Sequence, residues 1–100
     1  MEEIYAGGTL VVWAGITEDG QLAINGQDLG GHPLSDEYEY FIRIAPEHWP
    51  LLRRALAGGE EDDIVEITVA NGTRLVEAGE VTWLKAHGVP HSFGTWLGFD

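Results

Sequence analysis

The chain is 100 residues long, with 17 Asp and Glu against 5 Lys and Arg and a formal net charge of -12 at pH 7. That balance repels nucleic acid, anionic membranes and phosphorylated substrates, so a charge-driven partner is expected to be cationic. Cysteine is absent, which excludes disulfides, thiolate zinc sites, CxxC redox pairs and a cysteine nucleophile.

From the N-terminus, Thr9 to Ile16 (TLVVWAGI) is apolar and β-branched, Glu18-Asp19-Gly20 is a turn signal, and Gln21 to Asn25 (QLAIN) returns as a second strand, so a hairpin is expected. Gly26 to Pro33 carries Gly26, Gly30, Gly31 and Pro33 among polar residues and reads as an irregular loop. Tyr38 to Ile44 (YEYFIRI) sets Tyr38, Tyr40, Ile42 and Ile44 on one face against Glu39, Phe41 and Arg43 on the other, the two-residue period of a half-buried strand. A helix led by Pro46 and Pro50 follows, with Trp49, Leu52 and Leu56 on one stripe and Gly58 as its stop.

Asp62 to Gly79 supports two readings. Asn71-Gly72 is a hairpin signal, whereas Ile64, Ile67, Asn71, Leu75 and Ala78 follow helical spacing behind a run of carboxylates suited to a helix N-terminus. Helix is preferred, because a glycine inside a helix costs only about 1 kcal/mol. Glu80 to His87 is a short helix with Val81, Leu84 and Trp83 inward, ended by Gly88 and Pro90, and Phe93 to Phe99 (FGTWLGF) is a final extended segment.

The charge is clustered: eight carboxylates and no Lys or Arg precede Arg43, and seven more lie between Glu60 and Glu80. Asp36, Glu37 and Glu39 enter the tyrosine-rich strand, where carboxylates and aromatic edges would form an anchor patch for a basic partner, or else guard an edge strand against aggregation. Glu60, Glu61, Asp62 and Asp63 are adjacent and point in different directions, unlike the alternating ligands of a calcium loop, so they read as a solvated run, a helix N-terminus or a partner-facing patch. His87 and His91 have the spacing of paired metal ligands on a helix, but Gly88 and Pro90 end that helix between them. Ser35 and Ser92 lie in no nucleophile motif, and no phosphate-cradling glycine motif is present. No cofactor is expected. Trp13, Trp49, Trp83 and Trp96 are expected to fill the core, any one left exposed being an interface anchor.

Asp36 to Ile44 (DEYEYFIRI), the Pro46-led helix closing in Gly58-Gly59, and Trp83-Leu84 followed by Gly88-Val89-Pro90-His91 and Phe93 resemble small immunity proteins encoded beside polymorphic toxin genes in actinomycetes. The likeness covers about two thirds of the chain and departs from the pattern at Gly94, where an aromatic is expected. The resemblance implies a cognate inhibitor that binds a toxin domain and blocks its active site or substrate channel, and it carries over no catalytic residue.

The sequence therefore predicts one α+β domain over residues 1–100, an antiparallel sheet built from the N-terminal hairpin and the Tyr38 to Ile44 strand with two or three helices packed on one face. Its four Trp, three Tyr and three Phe set it apart from disordered acidic segments. No basic leader and no stretch near the roughly 18 apolar residues of a membrane span is seen, so a soluble, cytoplasmic protein is expected. The expected function is non-catalytic: an immunity protein for a cationic toxin acting on nucleic acid, contacted through Asp36, Glu37, Glu39 and Glu60 to Asp63, with no direct nucleic-acid or membrane partner. The alternatives are a small adaptor or regulatory subunit with an apolar interface, and a small enzyme with a carboxylate or histidine site.

Overall fold

The computed structural model of the chain describes residues 1–30 and 37–98. Five antiparallel strands lie in sequence order across one sheet: β1 (Glu2–Gly7), β2 (Leu10–Ile16), β3 (Leu22–Leu29), β4 (Glu37–Ile44) and β5 (Ser92–Gly98). After β4 comes a 3-10 turn, Pro46–His48, followed by α1 (Trp49–Ala55), α2 (Ile64–Ala70), α3 (Gly72–Ala78) and α4 (Glu80–Ala86). The fold is α+β, as the sequence predicts. One core joins Val12, Ala14, Ile24, Ile42 and Ile44 of the sheet to Leu52, Ile64, Leu75 and Leu84 of the helices, each buried Val, Leu or Ile side chain contributing about 1.5–3 kcal/mol. No helix of the described residues is long and apolar enough to cross a membrane.

The sheet has two more strands than the hairpin and Tyr38–Ile44 strand named from sequence. β1 escapes pattern recognition because a bulge between Glu3 and Tyr5 breaks its alternation, and both Ile4 and Tyr5 turn toward the core. β3 continues through Gly26 to Leu29, into the segment expected to be an irregular loop. Gly26 is accommodated there because Tyr40, its cross-strand partner, lays its ring over the glycine; a Cβ at Gly26 would lie 2.0 Å from Tyr40 Cε2. Residues 31–33 of that expected loop lie outside the described residues.

In the β2–β3 turn, the Asp19 carboxylate accepts from the Thr17 hydroxyl and the Gln21 side-chain amide, which hold it below the usual carboxylate range. α1 begins where Trp49 Nε1 donates to the Ile44 carbonyl at 3.0 Å. Its left-handed stop is Ala57 (φ 60°), one residue before the expected Gly58, whose own Cβ would strike Ile67 Cδ1 at 1.9 Å. Asp62 to Gly79 is helical, the preferred of its two readings, but it breaks at Asn71 into α2 and α3, so the helical layer holds four short helices. The break seats Gly72 on β1, where a Cβ would come within 2.0 Å of the Ile4 carbonyl oxygen.

Candidate partner-binding surface

Strand side chains alternate between faces, so the residues out of phase with the core form the face that the helices leave open. Two cross-strand rows define it: Glu3, Trp13, Asn25, Phe41 and Gly94, then Ala6, Val11, Gln27, Glu39 and Trp96. Trp13 and Phe41 are half-buried, and Trp96 is 49% exposed. Polar contacts frame the rings: the Arg43 guanidinium donates to Asn25 Oδ1 at 2.6 Å and sits 5.9 Å from the Phe41 centroid, while Gln27 Nε2 donates to Glu37 Oε1 at 2.6 Å. Aromatic anchors and carboxylates thus share one sheet face that the described helices leave uncovered.

This corrects the expectation that the tryptophans fill the core. Trp83 alone is buried, Trp49 packs against the core half-buried, and Trp13 and Trp96 belong to the open face. A signal for this was present, since Trp13 is out of phase with Val12 and Ala14, but the continuous apolar run TLVVWAGI masked it.

The two acidic clusters sit on opposite sides of the sheet. Asp36 lies outside the described residues, and Glu37 and Glu39 are half-buried on the open-face side of β4. Glu60 to Asp63 belong to the helical layer, between α1 and α2. There Asp63 Oδ1 caps α2 by accepting from the Val65 and Glu66 N–H groups at 2.9 and 3.0 Å. Asp62 Oδ2 accepts from Gly59 N–H at 2.7 Å, and the Asp62 carbonyl accepts from Arg53 Nε at 2.8 Å. Glu60 and Glu61 are exposed. The structure does not bring these four residues together with Glu37 and Glu39.

At the β5 edge a third group of residues assembles, on the helix side of the sheet. Tyr38, Tyr40 and Phe93 stand in file, with ring centroids 6.1 and 6.2 Å apart, beside the first turn of α4. The Tyr40 hydroxyl donates to the carboxylate of Glu80, which is 7% exposed. Burial raises the Glu80 carboxyl above its usual range, opposed in part by that hydrogen bond, and burial together with Glu80 raises the Tyr40 phenol. These side chains line a recess of about 250 Å³ with Gly79, Val81 and Thr82. Sequence reasoning missed Glu80 because an acid in a helix's first turn reads as a partner for the dipole.

His87 stacks on Trp83 with ring centroids 4.1 Å apart and pairs its Nδ1 with the Trp83 carbonyl, while His91 Nδ1 lies 2.8 Å from the Val89 carbonyl. Among the described residues no three metal-ligating side chains come together. A hollow of about 460 Å³ at the end of α1, lined by Pro50, Arg53, Arg54, Ala57, Gly58 and Glu60, sets guanidinium groups beside a carboxylate. No protein-family model, curated protein or solved structure matches the chain.

Proposed function

We propose that the chain is a non-catalytic binding protein, an immunity-type inhibitor that covers a cationic cleft of a cognate toxin domain acting on nucleic acid. Its contact surface is the open sheet face around Glu37, Glu39, Phe41 and Trp96. The observation that carries this reading is the pairing, on one uncovered face of a chain of charge -12, of aromatic anchors with carboxylates. Rings that desolvate on contact supply affinity, and the surrounding charge supplies steering and register. Long-range attraction of this kind raises association toward about 10⁸–10⁹ M⁻¹s⁻¹ at low salt. Asp62 and Asp63, bound to their own backbone, leave Glu60 and Glu61 as the part of that run which adds to the field.

An adaptor with an apolar interface is the second reading, favoured by the uncharged composition of β5 (SFGTWLG). Co-purification separates the two. The tagged chain is tested against the product of its neighbouring gene, in a catalytically disabled form, at low and at physiological salt. A stable complex whose on-rate falls with salt supports the inhibitor, and a salt-indifferent complex supports the adaptor. If the two proteins do not associate even at low salt, the cognate-inhibitor reading is discarded.

A further inference from the structure

We infer that the recess between β4, β5 and the start of α4 is a receptor for one basic side chain, an arginine or lysine of the protein partner. This inference rests on the cationic-partner reading above and names where a single charge of that partner would be received. Three observations carry it. First, Tyr38, Tyr40 and Phe93 present a run of near-parallel rings, with interplanar angles of 30° and 28°, and ring faces attract cations brought within about 6 Å of their centroids.

Second, Glu80 is a buried carboxylate whose hydrogen bonds come from neutral groups, the Tyr40 hydroxyl and its own backbone N–H, and no Lys, Arg or His is among the described residues that line the recess. A buried carboxylate is costly unless it is paired with a cation. An entering ammonium or guanidinium would supply that pairing. Asp28, which faces Tyr38 across the β3–β4 ladder, adds negative potential at Tyr40, so an anion is repelled from the same place.

Third, the recess lies at the β5 edge of the sheet. Phe93 is 49% exposed, so a side chain reaching around β5 meets the ring without rearranging the core. A volume of about 250 Å³ is enough for one long side chain and too small for a folded element. The same partner segment, running along β5, would touch Trp96 on one face of the sheet and Phe93 on the other.

Titration of the whole protein with Nα-acetyl-arginine amide, followed by aromatic and amide NMR shifts, tests the inference; the citrulline analogue serves as the neutral isostere. Saturable shifts are expected at Tyr38, Tyr40, Phe93 and Glu80, with affinity weakened at least about tenfold in Glu80→Gln and in Phe93→Ala and unchanged in Glu60→Gln. An equal response to citrulline, shifts spread over the acidic surface without saturation, or undiminished affinity in both recess variants would overturn it. Phe93→Ala removes a half-exposed ring and keeps the test valid if Glu80→Gln disturbs the fold. Failure of the recess leaves the partner complex and its dependence on Glu39 and Trp96 standing, whereas loss of the partner with arginine still saturating the recess would remove the inhibitor reading alone.

Discussion

β1 and β5 are the two edges of one sheet, and they are finished in opposite ways. β1 carries Glu2 and Glu3, a bulge between Glu3 and Tyr5, and a cover of α2 and α3, with Gly72 set against the Ile4 carbonyl. β5 carries no charge, is exposed from Ser92 to Trp96, and displays Phe93 on one face and Trp96 on the other. Charge, bulges and covering helices are the devices by which proteins blunt an edge against stray pairing. Having all three at β1 and, among the described residues, none at β5 makes β5 the side on which another chain is expected.

The largest expected effect tests the seal on β1. In Gly72→Ala the new methyl meets a backbone oxygen, which has no rotamer to escape into, so α3 must lift from the strand. A loss of about 3 kcal/mol in urea unfolding is expected, together with faster amide exchange in β1. A variant of unchanged stability would show that the cover on β1 is loose and would erase the contrast between the edges.

On the open face, Trp96→Ala and Phe41→Ala should weaken partner binding by about 2 kcal/mol each, while costing less than about 1 kcal/mol in stability because neither ring belongs to the buried core. Stability loss without binding loss would return these rings to a structural role. A smaller, kinetic effect is expected from charge. Glu37→Lys with Glu39→Lys should slow association about tenfold at low salt, and Glu60→Lys with Glu61→Lys should slow it less, since the second pair lies on the far side of the sheet. Equal slowing by both pairs, read by stopped-flow mixing, would show that total charge matters and position does not.

How much of this was legible in the sequence follows from sidedness. β4 was readable because Tyr38, Tyr40, Ile42 and Ile44 alternate cleanly with Glu39, Phe41 and Arg43. α2 and α3 were readable as helix because Ile64 and Leu75 keep their inward phase across the break at Asn71. β1 was hidden by its bulge, and the second half of β3 by Gly26, whose missing side chain is replaced from the neighbouring strand by Tyr40. The binding surface was harder still. Hydrophobicity marked the tryptophans without saying which face of the sheet they occupy, and adjacency in sequence grouped Glu60 to Asp63 although two of the four are tied to local backbone groups. Glu80 takes its environment from Tyr40, forty positions earlier in the chain, through a contact that exists only after folding.

The smallest effect concerns Glu80, and its sign follows from linkage. Burial raises its folded-state pKa above the unfolded value, so the folded protein binds this proton more readily. The stabilisation from protonation is fully present below the unfolded pKa and is lost as pH rises through the folded one. Above the folded pKa, Glu80 ionises while buried and subtracts stability, so there Glu80→Gln, whose amide oxygen still accepts from Tyr40, should melt above the wild type. That gap should narrow as the pH falls from neutrality toward the ordinary carboxylate range. Glu2→Gln and Glu3→Gln, exposed on the sealed edge, make the same change in net charge, so subtracting their effect from that of Glu80→Gln isolates burial from the general relief of self-repulsion. A gap of constant size across that range would mean that Glu80 is as well solvated in the folded chain as in the unfolded one. The β5 edge would then hold aromatic rings without a desolvated charge behind them.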